Sequence, residues 1–477
     1  MTAGDALPWV AGFDGHRPPL QPGPTSQQLH FMTPTLSTAD LAPIVDALRE
    51  ANQAFLTRYP GETGRRQPVH VVYGGAHLFK ADAARKLGEV ALRSLREYAP
   101  DAPALATALG ARWDDNFAAD LYARVLAKLE QEPVEDFRLD FEDGYGNRLE
   151  AEEDGHAVSS AAEVAAGLSA GTLPPFIGIR IKPCNEDLRA RSLRTLDLFV
   201  SALVQKTGGT LPPNFVITIP KVQIAAHVTA VATTCALLET KLGLEPGALH
   251  LELMVETPQA IIDADGRCPL LGFVAAAEGR CASVHFGVYD YTASFGVTAA
   301  YQAMGHAACD FARTVMVVSL SGTGVQISDG ATNILPVGPH RGAGLSAAQL
   351  AANREAVHGA WRLAFDDTLH SLKNGIYEGW DLHPAQFVAR YAAVYSFFLA
   401  GLPAASGRLK AFVEKAALAS LFGDVFDDAA TGQGLLNFFL RGISCGAITE
   451  EEALATGLTL EEIRSRSFLK ILLGRRG

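Results

Sequence analysis

Two carboxylates carry the strongest chemical signal, Glu256 in LHLELMVETP and Asp290 in SVHFGVYDYTASFG, each closing a run rich in apolar and β-branched residues. Two carboxylates at neighbouring strand ends can share a hard divalent cation. Mg2+ prefers an octahedron of oxygens and keeps several waters, so two protein ligands leave room for a chelating substrate. The same residues also fit a Glu256–Lys221 ion pair and an Asp290 cap on the helix in DYTAS. The spacing alone leaves both readings open. Further charged residues follow similar runs: Glu142 and Asp143 after FRLDF, Arg180 and Lys182 in FIGIRIK, Lys221 in FVITIPK, Asp329 in GVQISDG, and His383 in GWDLHP. Pairwise neutralisation accounts for any one acid and base among them, but less well for the whole set. In YGGAHLF, Gly74 and Gly75 permit a tight turn, and His77 reads either as an acid, base or hydrogen-bond donor or as a structural histidine.

These residues need a scaffold that gathers strand ends. The runs VHVVYG, FRLDFED, FIGIRIK, FVITIPK, LHLELMVE, SVHFGVYD, GVQISDG and GWDLHP alternate with helix-length amphipathic stretches. Eight such runs predict an α/β protein, a closed TIM (β/α)8 barrel whose catalytic groups lie at the carboxyl ends of the strands. The strands are read as ending at or beside the polar residues, near Gly74 and at Asp143, Lys182, Lys221, Glu256, Asp290, Asp329 and His383. Residues 1–65 read as an N-terminal arm and a first helix, with the capping box Ser37-Thr-Ala-Asp40 and a helix running to about Tyr59. The catalytic barrel spans 66–390, with a helical insertion after the first strand over about 77–135 that carries Leu121, Val125 and Leu129 at helical spacing. Residues 391–477 read as a C-terminal helical extension or lid, in which Thr459-Leu-Glu-Glu462 opens a terminal helix carrying Ile463, Leu469 and Leu472.

Composition narrows the classes. The chain has 477 residues, 48% of them hydrophobic and 19% charged, which suits a globular fold. The net charge of -12 and the lack of a basic run interleaved with aromatics argue against a nucleic-acid partner. The six cysteines form no C-x-x-C pair, so neither a disulfide framework nor a zinc site is indicated, and a reducing cytoplasm is the expected compartment. The opening residues lack a basic and apolar leader, and no run of about 18 uninterrupted apolar residues predicts a membrane span.

In chain order, LDFEDGYG, IRIKP, IPKV, LMVETP, FGVYDYTASFG, ISDG and LHPAQ resemble the motifs of the HpcH/HpaI aldolase and citrate lyase beta-subunit family, over about residues 66–390. The resemblance implies Mg2+, with Mn2+ as a substitute, held by Glu256 and Asp290. It implies Arg180 on the substrate oxygens, and Glu142 and Asp143 as catalytic acids that orient Arg180 or metal-bound water, with either also open as a general base. The reaction it implies is carbon–carbon lyase or aldolase chemistry on a small 2-oxo or hydroxy carboxylic acid, or its CoA thioester, through an enolate stabilised by metal and guanidinium. Lys182 stands where the family often has a neutral amide; it reads as a cation for a more negatively charged substrate or as a rim lysine paired with Glu142 or Asp143. Lys182, Lys221 and His77 are candidate substrate-binding residues. Asp424, Asp427 and Asp428 match a family carboxylate that enters from a C-terminal lid. The family also implies a homo-oligomer. Two other readings stay open. One is phosphotransfer with phosphoenolpyruvate, its phosphate held by Arg180, Lys182 and Lys221; the other is a metabolite-binding barrel without turnover.

Overall fold

The computed structural model describes residues 34–61, 65–414, 420–422, 425–427, 429–465 and 467–476. Most of the N-terminal arm, together with Asp424 and Asp428, lies outside the described residues. The chain divides into two compact units, Met1–Arg58 and Tyr59–Gly477. In the first, helix α1 (Thr38–Arg58) begins at the expected capping box: Ser37 Oγ accepts from the Asp40 amide at 3.2 Å, and Asp40 Oδ2 accepts from the Ser37 amide at 2.9 Å.

The second unit is built on eight parallel strands, β1 (His70–Gly75), β2 (Asp136–Asp140), β3 (Phe176–Arg180), β4 (Phe215–Ile219), β5 (His250–Val255), β6 (Cys281–Phe286), β7 (Gln326–Ala331) and β8 (Glu378–Trp380). Each pairs with the next, and β8 pairs with β1, closing the expected barrel. Between β1 and β2 lie a 3-10 turn (Ala76–Leu78) and helices α2 (Ala83–Tyr98), α3 (Ala102–Leu109) and α4 (Asp115–Gln131); Leu121, Val125 and Leu129 form the buried face of α4. The remaining connections carry α5 (Glu150–Ala170), α6 (Arg189–Thr207), α7 (Ala225–Leu242), the short α8 (Pro258–Ile261) and α9 (Leu270–Ala276), α10 (Val288–Ser294), α11 (Ala307–Leu320) and α12 (Ala347–Lys373). After β8 come α13 (Phe387–Glu414), a hairpin of Ser420–Phe422 with Val425–Asp427, and α14 (Ala429–Ser444), α15 (Glu450–Leu454), α16 (Leu460–Arg464) and α17 (Phe468–Arg476).

Strand alternation explains why these sequences close a barrel. Val72, Phe137, Leu139, Ile177, Ile179, Ile217, Ile219, Leu251, Leu253, Val284 and Phe286 belong to one buried apolar core shared with the surrounding helices. The alternate residues face inward, and many of them are polar. Arg138 is ion-paired with Asp136 and donates to Thr218 Oγ1 at 3.0 Å, Thr218 donates to Glu252 Oε1 at 2.7 Å, and Ser283 donates to Glu252 Oε2 at 2.8 Å. The interior is therefore a hydrogen-bonded charge network, where barrels more often stack branched apolar side chains.

Two details depart from the sequence reading. The strands stop short of several of the polar residues that were read as their ends: β2 closes at Asp140, because Asp140 Oδ1 accepts from the Glu142 amide at 2.9 Å and Oδ2 from the Gly144 amide at 2.7 Å, turning the chain. The terminal helix is broken in two, α16 and α17, with α16 capped by Thr459 as expected. The stretch Pro384–Ala411 is long and apolar enough to cross a membrane by length and composition, but most of it is buried. Tyr391 Oη donates to the Pro133 carbonyl at 3.1 Å, and Phe398 packs against Tyr377 and Phe438, so α13 serves as a core helix of the barrel's outer layer.

Candidate active site at the barrel mouth

Lys221 follows β4 in the left-handed region, at φ 51°, an uncommon conformation for a side-chain-bearing residue and one that recurs at functional sites. That turn aims its backbone N–H at Glu256 Oε1, 2.6 Å away, just past the end of β5. Its ammonium meets Glu142 Oε1 at 2.5 Å, Asp143 Oδ2 at 3.4 Å and Asp290 Oδ2 at 3.5 Å. Residues from the ends of β2, β4, β5 and β6 thus converge on one cation. Gly287 gives Glu256 its space: a Cβ there would lie 2.5 Å from Glu256 Cβ and from Oε2.

The electrostatics are unbalanced. Burial pushes the Glu256 carboxyl up to about 8, with the Asp290 charge adding to the rise and Lys221 opposing it. Burial also raises Glu142. Asp143 sits below the usual range, because its hydrogen bond with Glu142 and the charges of Lys221 and Arg180 outweigh desolvation. Burial works against the Lys221 ammonium, yet the carboxylates of Glu256, Glu142 and Asp290 hold it above its ordinary value. Four acidic side chains share this lysine with one guanidinium, so full ionisation of all four would leave the cluster with an excess of negative charge. An all-oxygen donor pair from Glu256 and Asp290 fits a hard divalent cation. Among the described residues no group of three or more His, Cys, Asp or Glu side chains is arranged to hold a metal; with two carboxylates, water and substrate oxygens would have to complete an octahedral Mg2+ shell.

Arg180 ends β3, fully buried, and is gripped by Asp140 through Nε–Oδ1 at 2.7 Å and Nη2–Oδ2 at 2.5 Å. Nη1 reaches toward Glu142 Oε2 at 3.3 Å, and the guanidinium carbon lies 4.7 Å from the Tyr73 ring centroid and 5.5 Å from that of Trp380. The fork is thereby held rigid with one arm turned to the acids. Asp140 was not singled out in the sequence; the usable signal was its position two residues before Glu142, on the same side of the chain.

The other candidates lie elsewhere. The Lys182 ammonium donates to the Phe141 carbonyl at 2.8 Å, pairs with Glu153 at 3.4 Å and lies over the Tyr145 ring, away from the Lys221 cluster. His77 packs edge-on against Tyr145, beside His156, and burial lowers its pKa. Asp329 is bound by Arg313 at 2.8 Å and by Ser371 at 2.6 Å, behind the strand. His383 caps the turn Pro384–Gln386, accepting from the Ala385 amide at 3.1 Å.

The chain is similar in structure to a citrate lyase from Burkholderia xenovorans LB400, with a TM-score of 0.52 and 17% identity over 82% of this chain and 97% of that one. CitE from Mycobacterium tuberculosis, in complex with magnesium, acetoacetate and coenzyme A, aligns at 16% identity over 80% and 99%, with a TM-score of 0.43. A Haloferax volcanii malate synthase aligns at 15% identity over 85% and 99%, also with a TM-score of 0.43. At 17% identity the likeness to the Burkholderia xenovorans citrate lyase establishes a shared barrel fold, and citrate lyases are the group that the motif string resembles. No curated protein matches the sequence. A family model described as Domain of unknown function (DUF6986) matches residues 48–471, and the chain belongs to that DUF6986 family.

Proposed function

We propose that this protein is a Mg2+-dependent carbon–carbon lyase or aldolase acting on a small 2-oxo or hydroxy carboxylic acid or its thioester. The observation that carries this reading is the convergence of Glu256, Asp290, Glu142 and Asp143 on Lys221, with the clamped guanidinium of Arg180 alongside. Glu256 and Asp290 would hold the ion, which when bound supplies Lewis-acid stabilisation of charge on the substrate oxygens. Arg180 binds and orients the acid. Its grip by Asp140 fixes the fork, and Nη1, which faces Glu142 Oε2 at 3.3 Å and Met254 Sδ at 3.7 Å, would turn to the substrate oxygen on which negative charge grows as the bond breaks, an alignment that needs little reorganisation. Lys221 screens the carboxylates and fixes the Glu256 side chain through its own amide. Glu142 and Asp143, one with raised and one with lowered proton affinity, are a pair able to hold a proton and pass it at the mouth. One of the solved structures named above, CitE from Mycobacterium tuberculosis, is in complex with magnesium, acetoacetate and coenzyme A.

The test is calorimetric titration of Mg2+ together with product detection across a panel of 2-oxo and hydroxy acids and their CoA esters. Glu256→Gln and Asp290→Asn are each expected to lose Mg2+ binding and turnover, and Arg180→Lys to lose about a hundredfold or more in kcat with Mg2+ binding kept. Full Mg2+-dependent turnover in either carboxylate variant would sink the assignment.

A further inference from the structure

Directly around the Arg180 guanidinium, the barrel interior carries an aromatic layer of Tyr73 from β1, His285 from β6 and Trp380 from β8. The His285 ring meets Trp380 edge-on with centroids 5.6 Å apart and Tyr73 at 5.7 Å, while Tyr73 and Trp380 lie 4.5 Å apart. Ser328 stands on the strand between, as the register partner of His285. Its neighbour Asp329 faces Arg313 and Ser371 on the outside, so Ser328 faces in; a Cβ on Gly379 would meet Arg390 outside, so Trp380 also faces in.

This layer has polar atoms with nothing to bond. Among the described residues, His285 Nε2, Ser328 Oγ and Trp380 Nε1 are buried without a hydrogen-bond partner, and His285 and Ser328 are fully buried. Burying such an atom without a partner is costly, so each is a position where a ligand's polar group would be stabilised. Three on consecutive strands, beside Arg180, form a buried polar cluster. Their hydrogen-bonding sense can be assigned. Tyr73 Oη donates to Glu252 Oε1 at 3.3 Å, so its oxygen accepts from His285 Nδ1–H at 3.3 Å, leaving Nε2 as an acceptor. Burial holds the imidazole down at about 4, and it is neutral at physiological pH. Trp380 Nε1–H only donates, and Ser328 can donate or accept. A carboxylate offers no proton and would leave Nε2 unsatisfied. An alcohol group, donor and acceptor in one, matches the set.

We propose that His285, Ser328 and Trp380 form a subsite that selects the substrate by one hydroxyl group, which donates to His285 Nε2 and accepts from Trp380 Nε1 or Ser328 Oγ. The subsite rests on the lyase reading for its neighbour Arg180, which holds the acid group of the same molecule.

The experiment compares Kd values for malate and succinate, and for glycolate and acetate, by calorimetry on the full-length protein in saturating Mg2+. Within each pair the members differ by a hydroxyl. The hydroxy acid is expected to bind about tenfold to a hundredfold more tightly in at least one pair. Ser328→Ala should shrink that ratio by about fivefold or more with succinate and acetate binding changed by less than about twofold, and Trp380→Phe should shrink the ratio by a similar factor whatever it does to acid binding through Arg180. A ratio that stays intact in both variants would assign the preference to the metal and overturn the subsite, as would the absence of any preference for a hydroxy acid. Glu256→Gln serves as a separate arm: if it keeps Mg2+-dependent acid binding, the lyase reading fails. Collapse of the ratio in Ser328→Ala and Trp380→Phe alone speaks for the subsite. Unchanged thermal melts of the two conservative variants separate lost recognition from lost folding.

Discussion

Glu252 shows how single side chains hold the barrel interior together. It is fully buried, and desolvation alone would raise its carboxyl, yet Arg138, His285 and the hydroxyls of Thr218 and Ser283 bring it down to about 2. A folded value below the unfolded one stabilises above the unfolded pKa, and that stability disappears as pH falls from about 4.5 toward 2. The shift corresponds to about 3 kcal/mol at neutral pH. Glu252→Gln should therefore lower the unfolding free energy by about that amount at pH 7, with the gap to wild type narrowing as acid is added. Urea denaturation between pH 3 and 8 would show it; a gap independent of pH would contradict the ionic origin. Lys182 marks the limit of what residue types reveal. Its place after β3 left open a cation for substrate or a rim lysine paired with Glu142 or Asp143; its ammonium meets the Phe141 carbonyl and Glu153. Which way a long flexible side chain turns depends on the carboxylates that tertiary packing brings near, and one of these, Glu153, belongs to α5.

At the scale of elements, the turn from β6 into α10 serves β5. Gly287 has φ -101°, a conformation open to any residue, so its lack of a side chain reflects the closeness of Glu256. Gly287→Ala should push the Glu256 carboxylate aside and weaken Mg2+ affinity by about tenfold or more, with the melting temperature held within about 5 °C. Calorimetry and thermal melts on one sample decide it; equal affinity would show that Glu256 has room to spare. The eight strands were legible because β-branched runs alternate with amphipathic helices, and the mouth acids because they follow those runs. The bounds were less legible. A parallel strand stops where its backbone leaves the ladder, and at β2 that point is set by Asp140 bonding to the amides of Glu142 and Gly144. The aromatic layer of Tyr73, His285 and Trp380 also escaped notice, since its members are scattered over three strands and acquire meaning only when the sheet closes.

For the whole second unit, the helices after β8 share the barrel's own core. Tyr391, Tyr395, Phe398 and Leu409 on α13 are buried in the same cluster as the strands, and Tyr391 Oη lies 3.2 Å from His70 Nε2 on β1. Losing one large buried side chain costs about 2–5 kcal/mol, against a typical total stability of about 5–15 kcal/mol. Residues 1–390 expressed alone should therefore show no cooperative thermal transition by circular dichroism. A sharp melt from that fragment would mean that the extension is a separable lid.

The seam that closes the ring is its thinnest part. β8 has three residues and meets β1 through two register pairs, His70 with Gly379 and Val71 with Trp380, reinforced by His70 Nδ1 and Asp381 at 2.8 Å. Its two sides lie about 300 residues apart along the chain, from Gly75 to Glu378. At ordinary translation rates the edge of β1 waits on the order of tens of seconds for β8 to leave the ribosome. During that interval an apolar strand with open amides and carbonyls stands ready to pair with any other chain. The nascent protein thus has a defined window of aggregation risk, in which a chaperone would find the edge of HVVYGG exposed.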